Sequence, residues 1–391
     1  MMATSACGTP TLPEVGEVGS FRDGNLQAVL SNVISVGGGV PALGAFTARI
    51  LPDTESDQDR LVLLVDTAVA GTRMAGSGPL VTMDDLWHFG SLTKSMTASL
   101  AARLVERGLI SWDATIAQIF PELVGTIEGV YEDVRLDELL YHTSGLPSDI
   151  TQTPSWPDLR TSQLPVVEQR RTWIEELLSL EPEMPRGIHV YTDAGYVVAG
   201  AMLEQVAATT WEDLIRQEIF LPLGMTTAGF GSPGTPGAID QPRGHELAGN
   251  AWSPVEPGPE ADNPAVLGPA RTVHGSLSDL IAYAVEHLHG ARDSSAFFEL
   301  ATWEKLHSAA PGTGYALGWG VDQRTWANGT VLAHSGSNTL WFAILWIAPE
   351  RDMVLGAVTN AWGKTTDGTW DAERAATQAI QAMILRAGFS L

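Results

Sequence analysis

The chain has 391 residues, 44% of them hydrophobic, enough to bury a large core without disulfide or metal staples. Its 22 Lys and Arg against 46 Asp and Glu leave a formal charge of -24, which repels phosphate backbones and anionic lipid and argues against nucleic acid as a partner. The one cysteine, Cys7, excludes an internal disulfide and a cysteine-rich metal site.

Residues 1–20 read as a flexible tail. Residues 41–50 and 61–70 are rich in β-formers and flank an acidic segment at 52–59, which predicts a hairpin with a polar loop. After Asp84 and Asp85, the stretch 91–107 carries Leu92, Met96, Leu100 and Leu104 at four-residue spacing and meets Gly108, the signature of an amphipathic helix with a glycine stop. Helix formers without strict alternation then predict helices at 136–141, 166–180, 195–207 and 211–220. Residues 225–269 turn to Pro and Gly with little periodicity, an irregular functional loop by this reading, and a helix follows at 276–289. Strands are expected at 315–321, 331–334, 340–348 and 353–359, with turns at 327–329 and 349–352, before a closing helix at 371–386. The fold class is therefore α+β: an antiparallel sheet built from both chain ends, flanked by helices, with a mostly helical lobe inserted. In domain terms, 21–391 reads as one catalytic unit, with a sheet lobe at about 21–90 plus 310–391 and a helical lobe at about 91–309.

Ser91 and Lys94 form an S-x-x-K spacing that puts a hydroxyl and an amine on one helical face. Lysine is scarce here, with only Lys94, Lys305 and Lys364, so Lys94 is not one of many solvating charges. A serine at a helix start lies in a field that favours a developing oxyanion, and burial beside it lowers a lysine pKa. The competing reading makes Ser91 a helix cap and Lys94 a surface residue. Tyr191, in the loop stretch Tyr191-Thr192-Asp193 before a helix at Gly195, is the natural proton acceptor for Ser91, because a tyrosine beside a lysine cation is stabilised as phenolate. At the end of a strand, His334-Ser335-Gly336-Ser337 supplies a glycine that lets a substrate backbone approach. The Ser337 amide is placed to pair with that of Ser91 as an oxyanion hole, and His334 and Ser335 are candidates to hydrogen-bond the acyl substrate or its leaving group.

These three stretches, in this order, resemble the signature of the penicillin-binding-protein and serine β-lactamase superfamily: S-x-x-K, then Y-x-N or S-D-N, then K-T-G or H-x-G. The closest likeness is to the class C-like branch with its family VIII carboxylesterases and D-aminopeptidases. Leu139 through Pro147, Tyr315 through Gly320 and the segment 269–280 add to the resemblance, which covers roughly 20–390. It implies Ser91 as acylated nucleophile, Lys94 and Tyr191 as proton-transfer pair, His334 and Gly336 as third-motif residues, and the Ser91 and Ser337 amides as oxyanion hole. It implies no metal or organic cofactor, and it implies scaffold for His142. Asp193 stands where the branch often has asparagine; a carboxylate there favours the lysine cation, and hence Tyr191 as the working base. His334 replaces a lysine, which removes a permanent cation suited to a substrate carboxylate.

The expected function is that of a serine hydrolase cleaving small esters or amides through an acyl-serine intermediate. The alternatives are a β-lactamase or D-Ala-type peptidase, and a penicillin-binding or sensor domain that does not turn over. Acyl specificity is assigned to the loop 225–269 and to Trp156, Trp252 and Trp341, at least one of which should line the cleft. Gly363-Lys364-Thr365 lacks the upstream glycine of a phosphate loop, no H-E-x-x-H occurs, and Gly90-Ser91 is not a G-x-S-x-G elbow. No run reaches the about 18 apolar residues that span a bilayer. The chain as written reads as a soluble, bacterial-type cytoplasmic protein, while the small residues around Cys7 resemble the end of a lipoprotein signal and imply an extracytoplasmic or lipid-anchored protein if the start is truncated.

Overall fold

The computed structural model describes residues 25–52, 61–366 and 371–391. The tail at 1–20, Cys7 and most of the loop expected at 52–59 lie outside the described residues. Six strands make the principal sheet: β1 (Ala42–Pro52), β2 (Leu61–Gly71), β3 (Gly320–Arg324), β4 (Gly329–Ser337), β5 (Phe342–Ala348) and β6 (Met353–Thr359). Their spatial order is β2-β1-β6-β5-β4-β3 and every neighbouring pair is antiparallel, so the sheet is drawn from both ends of the chain as expected.

The central strands are apolar without a break because both faces of the sheet are covered. On β5, Ala343, Leu345 and Ile347 join one core while Phe342, Ile344, Trp346 and Ala348 join another. The first core includes the central helix α2 (Thr93–Glu106), α3 (Asp193–Ala207) and α4 (Leu277–Ala291). The second holds α1 (Leu26–Asn32) and α5 (Ala372–Arg386). On α5 the inward residues include Ala375, Ala376 and Ala379, whose small side chains let the helix approach the sheet. Each Leu or Ile sealed between the layers contributes roughly 1.5–3 kcal/mol by leaving water. Gly356 on β6 leaves room for its cross-strand partner on β1: a Cβ there would meet the Phe46 ring at 2.2 Å.

α2 is buried on all sides through its first turns, from Thr93 to Ala102, which is the pattern of a core helix rather than a surface one. It ends where Gly108 takes a positive φ of 71° and Leu109 N–H bonds back to Leu104. Ser91 itself lies in the 3-10 turn Gly90–Leu92 that leads into α2.

Several boundaries differ from the sequence expectation. The helix expected at 195 begins two residues earlier, because Thr192 caps it by accepting the Ala194 N–H, and this puts Asp193 in the first turn rather than in a loop. The strand expected at 315–321 starts late: only Gly320 and Val321 of it are strand, at the beginning of β3, and Tyr315 forms an isolated bridge to Gly320. Within the irregular stretch 225–269 lies a two-stranded hairpin, His245–Ala248 with Ala251–Pro254. A small sheet of Trp87–His88, Val273–Gly275 and Gly229–Phe230, too short to show periodicity, anchors the chain just before Ser91.

Candidate active site

The site lies where the start of α2 meets the edge of β4. Direct partners across an antiparallel pair share a face, so His334 opposite Leu345 and Gly336 opposite Ala343 point toward the core that contains α2. Among the described residues the register of β4 with β3 ends at Ala333, and the rest of that edge lies against the Ser91 turn.

Gly336 and Gly90 bring the two backbones together. A Cβ on Gly336 would lie 2.1 Å from the Phe89 carbonyl oxygen and 2.5 Å from Ser91 N, and one on Gly90, whose φ is 54°, would lie 2.3 Å from Ser337 N. Only glycine at both positions allows this approach. The backbone nitrogens of Ser91 and Ser337 are thus held close to the same glycine contact, as an oxyanion hole would need.

Lys94 is fully buried. Its Nζ donates to Ser91 Oγ at 3.1 Å, to Asp193 Oδ1 at 2.6 Å and to the Ala270 carbonyl at 3.1 Å. Arg271 Nε sits 3.1 Å from the other oxygen of Asp193. Burial pushes the Asp193 carboxyl up, but the charges of Arg271 and Lys94 outweigh it and hold the group below the ordinary carboxylate range. One carboxylate between two cations keeps Lys94 fixed as a donor toward Ser91.

Tyr191 stands over this centre, with the Lys94 ammonium 4.8 Å from its ring centroid. Its ring also neighbours His142 at 4.5 Å and His334 at 6.3 Å between centroids. Tyr191 precedes the cap residue Thr192, whose hydroxyl donates to the Pro147 carbonyl at 2.7 Å and whose N–H donates to His142 Nδ1 at 3.3 Å. His142 is buried at a φ of 61° among the rings of Tyr191, Tyr196, Tyr315 and His189. Burial first, then the Lys94 charge, push its imidazole well below the usual histidine range.

His334 is neutral for the same reasons. Burial, reinforced by Lys94 and opposed by the Ser335 carbonyl, pushes its imidazole down to about 3. Its Nδ1 lies 2.7 Å from the Ser335 carbonyl and its Nε2 lies 3.1 Å from the Tyr315 hydroxyl. The carbonyl can only accept, so the ring proton is on Nδ1 and Nε2 accepts from Tyr315.

Among the expected site residues, Ser91, Lys94, Tyr191, Asp193, His334, Gly336 and the Ser337 amide converge. Ser335 does not present its side chain with them: it lies opposite Ile344 and faces the second core, one residue out of phase with His334. Trp252 also belongs to that side, donating to the Gly39 carbonyl at 2.7 Å, and Trp341 is buried edge-on against Trp87 in the core. Tyr315, Arg271 and the Ala270 carbonyl were not expected as site members. Their only sequence signal was membership of the stretches 315–320 and 269–280, with no spacing that assigns a role.

Among the described residues no helix is long and apolar enough to cross a membrane. A family model described as Beta-lactamase matches residues 59–379. The chain is 24% identical over 304 residues to penicillin-binding protein 4 of Amycolatopsis lactamdurans, an alignment covering 74% of this chain and 76% of that one. It is 27% identical over 172 residues to the lovastatin esterase of Penicillium rubens, covering 41% of this chain and less than half, 43%, of the relative. A solved beta-lactamase from Sulfitobacter sp. EE-36 superposes with a TM-score of 0.67 at 18% identity, covering 95% of this chain and 100% of that one. The chain belongs to the beta-lactamase family, a family of serine hydrolases that share this fold.

Proposed function

We propose that this protein hydrolyses small esters or amides through an acyl-Ser91 intermediate. The observation that carries the reading is the 3.1 Å contact between Lys94 Nζ and Ser91 Oγ at a helix start packed against Gly336. In this reading Tyr191, as phenolate beside the Lys94 cation, takes the Ser91 proton while Oγ bonds to the substrate carbonyl carbon. The carbonyl oxygen, now an oxyanion, accepts from the Ser91 and Ser337 amides. The C–O or C–N bond breaks as Tyr191 returns the proton to the leaving group. Water then repeats the sequence on the acyl-enzyme: Tyr191 takes its proton, the C–Oγ bond breaks, and the proton returns to Ser91. Lys94, locked by Asp193, acts as electrostatic support.

β-Lactam or D-Ala-type peptide cleavage is the weaker reading. His334, which stands where the K-T-G form of the third motif has a lysine, is held neutral by burial, and its Nε2 is engaged by Tyr315. A panel of p-nitrophenyl esters, D-amino-acid amides and nitrocefin, assayed with wild type and Ser91→Ala, tests both readings. The expected result is Ser91-dependent turnover that is fastest on short acyl esters. Nitrocefin turnover at a comparable rate would reverse the ranking, and a persistent adduct without product release would indicate a sensor.

A further inference from the structure

Outside the proton-transfer centre, one buried carboxylate is bonded to two side chains, His88 and Asn338, that adjoin the Ser91 and Ser337 segments. Asp262 comes from the irregular stretch 225–269 and is 6% exposed. Its Oδ2 lies 3.0 Å from His88 Nε2, and its Oδ1 accepts from Asn338 Nδ2 at 3.1 Å. His88 and Asn338 are also buried. The far nitrogen of His88, Nδ1, accepts the Gly90 N–H at 3.1 Å. Gly90 immediately precedes Ser91, and Asn338 immediately follows Ser337.

The hydrogen-bond chemistry of this chain of contacts has one solution. A backbone N–H only donates, so His88 Nδ1 bears the lone pair and the ring proton lies on Nε2, directed at Asp262. The carboxylate accepts on both oxygens, and it is itself oriented by the Asn263 N–H at 2.7 Å and the Asn263 amide nitrogen at 3.2 Å, both on Oδ1. Arg160 holds the backbone behind it, donating to the Asp262 carbonyl and, at 2.8 Å, to that of Pro259. Asn338 closes the second arm by accepting the Leu340 N–H at 3.1 Å, which sets the turn that follows Ser337.

We propose that Asp262 is a positioning residue: through His88 and Gly90 on one side and Asn338 on the other, it fixes the spacing of the Ser91 and Ser337 amides. The proposal rests on the acyl-Ser91 reading. Asp262 touches no reacting atom. Its role is to make the two donors converge before substrate arrives, and it gives the irregular loop a structural duty at the catalytic centre. Asparagine at this position cannot substitute, because its one oxygen and one NH2 group satisfy either His88 or the Asn338 and Asn263 donors, never both. If the NH2 faces His88 Nε2, the ring proton moves to Nδ1 and opposes the Gly90 N–H.

The test compares wild type, Asp262→Asn, Asn338→Ala and Ser91→Ala in p-nitrophenyl ester turnover, thermal melting and ring-nitrogen NMR of protein labelled with 15N-histidine. For Asp262→Asn the expected outcome is a kcat lower by about 10–100-fold with KM within about threefold, less than the roughly 100–1,000-fold for deleting an oxyanion donor outright. The pH profile of kcat should be unchanged, and the Nε2–H signature of His88 should be lost. Asn338→Ala should lower kcat by a smaller factor while leaving the His88 signature intact; if Asp262→Asn does not fold, this variant decides. Unchanged kcat in the folded variants, a loss that tracks only the folded fraction, or a wild-type His88 protonated on Nδ1 would overturn the proposal. If wild type and Ser91→Ala turn over equally, or not at all, the hydrolase reading is what fails, and the His88 ring signature still reports whether the brace exists.

Discussion

Lys94 Nζ sits 2.6 Å from Asp193 Oδ1, a buried ion pair that Arg271 completes on the opposite oxygen. Removing one partner of such a pair leaves an uncompensated charge, which costs about 3–5 kcal/mol. Asp193→Asn keeps one acceptor oxygen and should fall at the low end of that range by urea denaturation at pH 7. Because the Asp193 carboxyl is held below its ordinary value, its stabilisation is present above the unfolded pKa and is lost as pH falls through the folded one. The stability gap between wild type and variant should therefore close in strong acid. A constant gap from neutral pH to pH 2 would mean that charge is not the cause.

Gly336→Ala would force a Cβ within 2.1 Å of the Phe89 carbonyl and 2.5 Å of Ser91 N. Both neighbours are backbone, so the strand and the Ser91 turn must separate. Overpacking of this kind costs roughly 1–3 kcal/mol. The larger effect should be kinetic, because both proposed oxyanion donors move: kcat is expected to drop by roughly 100-fold or more. Melting and steady-state kinetics on the same preparation separate the two losses, and near-normal kcat would refute the assignment of these amides.

Tyr191→Phe keeps the ring against Lys94 and His142 and removes only the hydroxyl. General-base catalysis contributes about 100–10,000-fold, so kcat should fall by a factor in that range with little change in KM. Tyr315→Phe should behave differently. It removes the donor to His334 Nε2, and a modest loss of severalfold in kcat/KM is expected. If Tyr315→Phe proved the more damaging of the two, the base would need reassignment.

The His334 imidazole, pushed down to about 3, stays neutral in the folded protein across the range where an unfolded histidine titrates near 6.5. Between those values the unfolded chain binds the extra proton, so stability rises with pH over the window from about 3 to 6.5 and is fully present above it. His245, pushed down to about 4, and His307, pushed down to about 3, act in the same direction. His334→Gln should lower the steepness of acid unfolding by about one proton, or about 1.4 kcal/mol per pH unit within the window. It should leave the pH profile of kcat/KM without any lost limb near 6.5. A limb that disappears in the variant would make His334 a titrating catalytic group.

The parts of the site legible in sequence were those fixed by local geometry. Ser91 and Lys94 are one turn apart on any helical path, and the Ser91–Lys94 contact follows. The apolar runs of β5 and β6 announce buried central strands. Partners not adjacent in the chain gave no such signal: Arg271 reaches Asp193 because two distant segments pack together, and Tyr315 reaches His334 because the chain turns back as β3 pairs with β4. The placement of Ser335 was legible in principle, since adjacent residues on a strand point to opposite faces. The expectation that it joins His334 at the substrate conflicts with that alternation, and the strand wins. The strands Trp87–His88 and Gly229–Phe230 are two residues each, below the length at which period 2 can be read.

The claim on which the rest depends is that Ser91 is acylated. Intact-mass measurement after reaction with an activated p-nitrophenyl ester, followed by peptide mapping, tests it directly. A single acyl adduct is expected on the peptide containing Ser91 in wild type, and none in Ser91→Ala. An adduct on any other residue, or one that persists in Ser91→Ala, would contradict it.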